Sequence, residues 1–535
     1  MRWIEVMGGT SEHPAVAAVA ALTAAGVREF VICAGARNSA LVAVVAAAPG
    51  WVRVWHHFEE RSAAFFALGR VRAGGRPVAV CTTSGTAVAE VLPAVIEGHY
   101  GGLPLVVLSA DRPRRYRGTG APQAIEQAGI FQGYARAVDC EGEVPDLRGW
   151  NGEGPLQVNV CLEEPGAADW ERLRAGGEKL VEGEWRERQV VERPEAGRLV
   201  VGRLVLAGDV RPGEEDEAAA VALMAGGAVW AEASSGLRDH PWLAGRVIEG
   251  GEAALRGWPV RQVVRVGGVP TCRFWRDLED REEIEVVAVN RTGFSGLARG
   301  ALTVREWREG LLGDLVEEDA ERWLARGRAM RRKFLELCGR LPGSEPALVA
   351  GLAERIPRGS EVLTGNSLAV REWNLAAPVG MGHRVHALRG ANGIDGNVSA
   401  FFGLASEVEE AWCLVGDLTA LYDLAAPWVL PQMASGRRRV VVMNNGGGRI
   451  FSRLPGLRGM NERELGLMEN PHAWGFRGWA EQWGMGWHGG DGAWLRGGGL
   501  GAVEEEHAVI ELIPDAEETE AFWVAWVRET MEIGL

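Results

Sequence analysis

Short runs of apolar and β-branched residues alternate with longer segments of helical period along most of the chain. Arg28–Cys33, Val52–Phe58, Pro77–Cys81, Leu103–Leu108 and Leu156–Leu162 are apolar enough to be buried strands, and the Ala- and Leu-rich stretches between them read as helices. That alternation predicts βαβ units around a parallel sheet. Residues 165–200, rich in Glu, Arg and Gly, break the pattern and are expected to connect domains. A second block places strands at Leu204–Ala207, Ala228–Ala231, Gln262–Val266 and Glu283–Val289. The charged, helix-period segment Glu317–Leu341 is then expected to be a second linker. From Glu361 the alternation resumes through Ala411–Val415, Arg439–Met443 and Ala508–Ile513, closing on an amphipathic helix over Glu518–Met531. The glycine-dense stretch 486–501 is expected to be a surface loop. The pattern as a whole predicts three α/β domains with parallel sheets, at 1–175, 195–335 and 345–535.

Composition narrows the function. The 535 residues carry 57 basic and 72 acidic side chains, a net charge of −15, which argues against a nucleic-acid binder. The seven cysteines (33, 81, 140, 161, 272, 338 and 413) form no CxxC pair, so neither a disulfide framework nor a structural zinc site is expected. Lysine occurs only at 179 and 333, and no Gly-Lys-Ser/Thr is present, which excludes a P-loop. The longest apolar stretch, Ala15–Val27, is too short to span a bilayer, and no basic region precedes it. A cytoplasmic protein without a membrane span is the expectation.

The chemistry concentrates in two dipeptides, Gly416-Asp417 and Asn444-Asn445, each directly after an apolar strand. Strand carboxyl ends face the ligand crevice in parallel sheets. An Asp carboxylate, an Asn carbonyl and a nearby backbone carbonyl are hard oxygen ligands suited to Mg²⁺ that also binds phosphate. Gly446-Gly447-Gly448 would let the backbone approach that phosphate closely. Glu60 follows a strand and opens a helix; by itself it reads as a first-turn glutamate favoured by the helix dipole. Residues 31–130 hold ten arginines against six acids, a local +4 in an acidic chain. Guanidinium groups bind carboxylates bidentately, so such a cluster suits dianionic ligands.

The Asp417/Asn445 pattern resembles the diphosphate-binding motif of thiamine-diphosphate enzymes. Nine segments, in order, resemble one branch of that family, the 2-succinyl-5-enolpyruvyl-6-hydroxy-3-cyclohexene-1-carboxylate synthases. They are Cys33-Ala-Gly-Ala-Arg-Asn-Ser39, His57-Phe-Glu-Glu-Arg61, Thr83-Ser-Gly-Thr-Ala87, Ser109-Ala-Asp-Arg-Pro113, Gly120-Ala-Pro-Gln-Ala-Ile125, Gly365-Asn-Ser-Leu-Ala-Val-Arg371, Arg389-Gly-Ala-Asn-Gly-Ile-Asp-Gly396, Val415-Gly-Asp-Leu-Thr-Ala-Leu-Tyr-Asp423 and Asn444-Asn-Gly-Gly-Gly-Arg-Ile-Phe451. The first and third domains carry the resemblance well, the middle one faintly.

The resemblance implies a homodimer or homotetramer of three-domain chains, with thiamine diphosphate between the first domain of one subunit and the third of another. It implies decarboxylation of 2-oxoglutarate and 1,4-addition of the succinyl unit to isochorismate, in menaquinone biosynthesis. Asp417, Asn445 and the carbonyl of Gly447 would hold Mg²⁺ (or Mn²⁺). Glu60 would hydrogen-bond the cofactor's pyrimidine and so promote deprotonation of its thiazolium carbon. Ile394 would bend the cofactor, and Ser84 would touch it. Arg37, Arg112, Gln123, Ser367, Arg371 and Arg389 fall on substrate-contact positions.

Departures are visible. Ala36 stands where the family often has serine, and Arg273-Phe274 stands where some members have Lys-Arg. Pro427 and Pro431 should break the helix expected after Asp417, at about 3 kcal/mol for each interior proline. Two other readings compete: a thiamine-diphosphate decarboxylase or acetolactate-synthase-like carboligase acting on a smaller 2-oxo acid, and a non-catalytic relative. The first predicts pyruvate turnover; the second would be expected to lose Glu60, Asp417 or Asn445.

Overall fold

The computed structural model describes residues 13–185, 190–308, 310–313, 315, 321–531 and 533. Seventeen described strands form three wholly parallel sheets. The first contains β1 (Glu29–Ile32), β2 (Arg53–His56), β3 (Val78–Thr82), β4 (Leu105–Asp111), β5 (Arg136–Cys140) and β6 (Leu156–Cys161), in the order β2-β1-β3-β4-β6-β5. The second runs β11-β10-β9-β7-β8, from β7 (Arg203–Ala207), β8 (Ala228–Ala231), β9 (Gln262–Val266), β10 (Glu285–Val289) and β11 (Leu302–Val304). The third runs β13-β12-β14-β15-β17-β16, from β12 (Glu361–Thr364), β13 (Arg384–His386), β14 (Glu410–Gly416), β15 (Arg437–Met443), β16 (Gly486–Gly490) and β17 (His507–Leu512). Every residue of β3, β4, β6 and β9 is buried, as parallel strands covered on both faces require.

The chain divides into two compact units, Met1–Glu187 with Trp428–Gln432, and Arg188–Pro427 with Met433–Leu535. In the first unit, the helix Glu60–Gly74 buries Phe65, Phe66, Leu68 and Val71. Arg70 on that helix reaches β1, donating to both oxygens of Glu29 at 2.8 and 2.9 Å, and Trp55 Nε1 donates to the same carboxylate at 2.9 Å. Gln432 pairs its side-chain amide with the backbone of His56, accepting from His56 N–H and donating to His56 O, each at 2.8 Å. His56 is exposed and His57 buried, the opposite-face placement that strand alternation dictates.

The second unit corrects the segment read as a linker. Glu321–Arg340 is a 20-residue helix whose apolar stripe, Trp323, Leu324, Gly327, Met330, Phe334 and Leu337, is buried. That stripe joins one core containing Val201 and Ile248 from the middle block and Leu348, Phe522 and Trp526 from the third. Trp258 and Trp323 stack with ring centroids 3.5 Å apart, and both indole N–H groups donate to Val201 O, at 3.2 and 3.1 Å. The charge that suggested a linker is only the helix's outer face. The first part of that expected linker, 317–320, lies outside the described residues.

Three further expectations change. Within 165–200, Asp169–Gly177 is a helix set so closely on the helix Ser39–Ala46 that a Cβ on Gly177 would lie 2.3 Å from Val44 O. The glycine-dense loop begins with an edge strand, β16, in register with β17 from Gly486↔Ala508 to Gly490↔Leu512. A Cβ on Gly490 would fall 2.4 Å from the Trp494 ring, so glycine there makes room for the indole. Edge strands β5, β11 and β13 went unread because they are short or half-buried. The break after Asp417 is as expected: the helix Asp417–Tyr422 ends, and a 3₁₀ segment, Ala426–Gln432, contains both prolines.

Candidate active site

Adjacent parallel strands end on one edge of a sheet, and the residues singled out in the sequence follow those ends. In the first unit Glu60, Arg37, Ser84 and Arg112 follow β2, β1, β3 and β4, which is their spatial order. The loop after β1 is folded by Asn38, which accepts from Gly35 N–H at 2.9 Å and donates to Cys33 O at 2.8 Å. Gly35 is obligatory, since a Cβ there would lie 2.5 Å from Thr83 Cβ. Arg37 donates to Leu162 O at 3.1 Å and to Glu164 at 3.2 Å, and Arg112 donates to Pro122 O at 2.9 Å. Ser84 is buried. Its neighbour Gly85 donates to Gln127 Oε1 at 2.9 Å, while Gln127 Nε2 donates to Ala110 O at 2.8 Å. Gln127 therefore ties the Ser84 loop to β4.

Glu59 and Glu60 divide two tasks. Glu59 is the N-cap of the helix Glu60–Gly74 and accepts from the N–H groups of Arg61 and Ser62, each at 3.0 Å. Capping is thus done by the preceding residue, and the Glu60 carboxyl is not used for it. Burial raises that carboxyl above its ordinary value; a hydrogen bond from its own backbone N–H opposes the rise, and Glu59 and Glu90 add to it.

In the second unit Arg389, Ser367, Asp417 and Asn445 follow β13, β12, β14 and β15, again in spatial order. Arg371 sits one turn beyond Ser367, donating to Ser367 O at 2.5 Å. Arg389 donates to Asn366 Oδ1 at 2.6 Å, a partner the strand pattern did not single out. Glu232, wholly buried after β8, accepts from Thr271 N–H at 2.6 Å; burial raises its carboxyl, and the Arg389 charge opposes the rise. Ile394 is half-buried in the loop after β13. Arg273 is exposed and paired with Asp277 at 3.3 Å.

Asp417 is 2% exposed. Its Oδ2 accepts from Gly446 and Gly447 N–H at 2.8 and 2.9 Å, and its Oδ1 accepts from Leu418 N–H at 2.6 Å. Burial raises its carboxyl, and those N–H donors and His472 partly offset the rise. Gly447 has φ 135°, and a Cβ on it would lie 2.6 Å from Glu469 O, so the glycine run leaves a backbone cradle. Asn445 donates through Nδ2 to Glu345, whereas its Oδ1 is buried without a hydrogen-bond partner. An orphaned buried acceptor costs about 1–3 kcal/mol unless something takes its lone pair. That orphaned oxygen, the Asp417 carboxylate and the Gly447 carbonyl are all hard oxygen donors, the chemistry that suits Mg²⁺ or Mn²⁺.

Backbone strain marks the same loops. The non-glycine residues with positive φ among the described residues are Gln123, Ser367, Asn392 and Asn470. The first three lie inside motifs already singled out, and the Asn470 carbonyl lines the Gly447 cradle. Such conformations cost about 1–3 kcal/mol each and persist where the surroundings enforce them.

Comparison with known proteins gives the family. Residues 15–130 match the family model described as the thiamine pyrophosphate enzyme N-terminal TPP binding domain. A 2-succinyl-5-enolpyruvyl-6-hydroxy-3-cyclohexene-1-carboxylate synthase of Akkermansia muciniphila is 43% identical, covering 92% of this chain and 95% of its own length. One from Bdellovibrio bacteriovorus is 37% identical over 96% of this chain and 98% of that protein. A thiamin diphosphate-dependent enzyme structure from Mycobacterium smegmatis shares the fold, with TM-score 0.61 at 14% identity, over 94% of this chain and 99% of that one. With matches of that identity running nearly end to end, the chain belongs to the 2-succinyl-5-enolpyruvyl-6-hydroxy-3-cyclohexene-1-carboxylate synthase family of thiamine pyrophosphate enzymes.

Proposed function

We propose that this chain removes CO₂ from 2-oxoglutarate and adds the remaining four-carbon unit, in 1,4 fashion, to isochorismate, a step of menaquinone biosynthesis in the cytoplasm. The observation that carries the reading is the near full-length match to synthases of that name. The arginines at the strand ends support it, because both substrates are dianions and guanidinium forks bind carboxylates.

Thiamine diphosphate, when bound, would supply a nucleophilic thiazolium carbon and an electron sink for decarboxylation. Glu60 holds a proton against the pyrimidine ring, a task suited to a carboxyl that burial has raised. Asp417, Asn445 Oδ1 and the Gly447 carbonyl would hold Mg²⁺ (or Mn²⁺), which would neutralise the charge of the diphosphate. Ser84 would contact the cofactor, and Ile394 would bend it. Arg37, Arg112, Gln123, Ser367, Arg371 and Arg389 bind and orient the substrate carboxylates. Glu60 and Asp417 come from different copies of the chain in a homodimer or homotetramer. Domain limits of 1–175, 195–335 and 345–535 are consistent with the strand ranges of the three sheets.

The test is direct. Purified protein with thiamine diphosphate and Mg²⁺ should consume 2-oxoglutarate and isochorismate together, releasing CO₂. Turnover of pyruvate without use of 2-oxoglutarate would overturn the assignment.

A further inference from the structure

Glu345 lies outside every motif described above. It opens the helix Glu345–Arg355 and is 2% exposed. Its backbone N–H donates to Thr519 Oγ1 at 3.0 Å, which fixes the turn from which its side chain departs. Asn445 Nδ2 donates to both of its oxygens, each at 3.1 Å. Arg453 braces the far side: its Nη2 lies 3.5 Å from Glu345 Oε2, and its Nη1 lies 3.2 Å from Glu372 Oε1.

The two ends of an asparagine amide have nearly the same shape, and a half-turn about the last torsion exchanges them. They are not equivalent to a metal, because the amide nitrogen has no lone pair to give. Only the nitrogen end can donate to a carboxyl that presents two oxygens. With Nδ2 held on Glu345, Oδ1 is turned the other way, and Oδ1 is the buried atom left without a partner. The hydrogen bond also draws electron density toward Oδ1 and makes it a better donor to a cation.

We infer that Glu345 is a positioning residue that holds the Asn445 amide with its oxygen presented to the divalent cation. The inference rests on the assignment of Asn445 as a cation ligand.

The measurement is the Mg²⁺ concentration that half-saturates thiamine diphosphate binding, followed by tryptophan fluorescence, with folding checked by circular dichroism. Glu345→Met removes the acceptor and keeps the bulk, and should raise that concentration about 10- to 100-fold. Glu345→Gln both accepts and donates, so it fixes the amide less firmly than the carboxylate and should fall between wild type and Glu345→Met. Adding Asn445→Asp to Glu345→Met should restore binding, because both ends of a carboxylate are oxygens and orientation no longer matters. A role confined to folding would not be rescued in that way. If Asn445→Ala binds Mg²⁺ as well as wild type, the cation assignment itself is wrong. If Asn445→Ala loses Mg²⁺ while Glu345→Met keeps it, or if Asn445→Asp fails to rescue, the positioning role is wrong. Should Glu345→Met not fold, Glu345→Ala takes its place, since water filling the space both donates and accepts and sets no orientation.

Discussion

Arg389 donates from Nη1 to Asn366 Oδ1 at 2.6 Å, and Asn366 Nδ2 donates in turn to Leu388 O at 2.8 Å and Gly393 O at 2.7 Å. One buried amide thereby joins the loop after β12 to the loop after β13 and fixes the side chain of Arg389, a residue only 8% exposed. Asn366→Leu keeps the size and leaves Arg389 Nη1 and Leu388 O without their partner, each worth about 1–3 kcal/mol if unsatisfied, while Gly393 O keeps Asn397 Nδ2 at 3.1 Å. The expected result is a KM for 2-oxoglutarate raised about ten- to a hundredfold, with thiamine diphosphate affinity unchanged. Steady-state kinetics beside a cofactor titration checks it, and an unchanged KM would take Arg389 away from the substrate.

Glu60→Gln should bind thiamine diphosphate and Mg²⁺ normally while losing most exchange of the thiazolium C2 proton, read by quenched-flow NMR. Wild-type exchange would remove Glu60 from the chemistry.

The same variant has a stability signature. Folding raises the Glu60 carboxyl above its ordinary 4.5, so the native state binds more protons than the unfolded chain within that window. Its contribution is fully present below the ordinary value and is lost as pH rises through the raised one. Glutamine has no such loss. The Tm of Glu60→Gln minus that of wild type, in ligand-free protein, should therefore grow across this window and stay flat outside it. A difference that shrinks as pH rises contradicts the burial described for Glu60.

Much of this was legible before the fold was known, for a physical reason. Parallel strands covered on both faces must be continuous apolar runs, so β8 and β9 were readable to the residue. Residues at their carboxyl ends were then candidates by topology. Reading failed where burial was one-sided or local: β16 hid among glycines kept small for Trp494, and the helix Glu321–Arg340 hid its stripe behind charge. Gln127, Glu232 and Glu345 were invisible for a different reason. Each acts through contacts made across loops, and no local spacing encodes such a partner.

Gly447→Ala places a methyl 2.6 Å from the Glu469 carbonyl, on a backbone at φ 135° that alanine rarely adopts. The turn must shift, and the Asp417 hydrogen bond from Gly447 N–H shifts with it. We expect a folded protein, with Tm lowered by a few degrees, whose thiamine diphosphate binding no longer responds to Mg²⁺. Isothermal titration at two Mg²⁺ concentrations checks this; a retained Mg²⁺ response means that the cradle holds no cation-bound phosphate.

The proposed assembly of the site across two copies can be tested by counting. Glu60→Gln and Asp417→Ala, each inactive, are unfolded together in equal amounts and refolded. Random pairing makes about half the dimers mixed, and each mixed dimer has one intact site, so roughly a quarter of wild-type activity should return. No recovery, with mixed dimers confirmed by mass, would place both residues on one chain.

The stacked indoles of Trp258 and Trp323 give the second unit an optical signature, stronger than that of the Trp150–Trp185 pair, whose centroids lie 6.1 Å apart. At a centroid separation of 3.5 Å their electronic transitions couple, producing a paired positive and negative circular dichroism band distinct from the helix signal. Both rings hang from the Val201 carbonyl, one carried by the helix Glu321–Arg340 and the other by the segment before β9. Detachment of that helix separates the chromophores while the sheets still absorb as sheets. Loss of the couplet ahead of the helical signal during heating would time this opening without any added label.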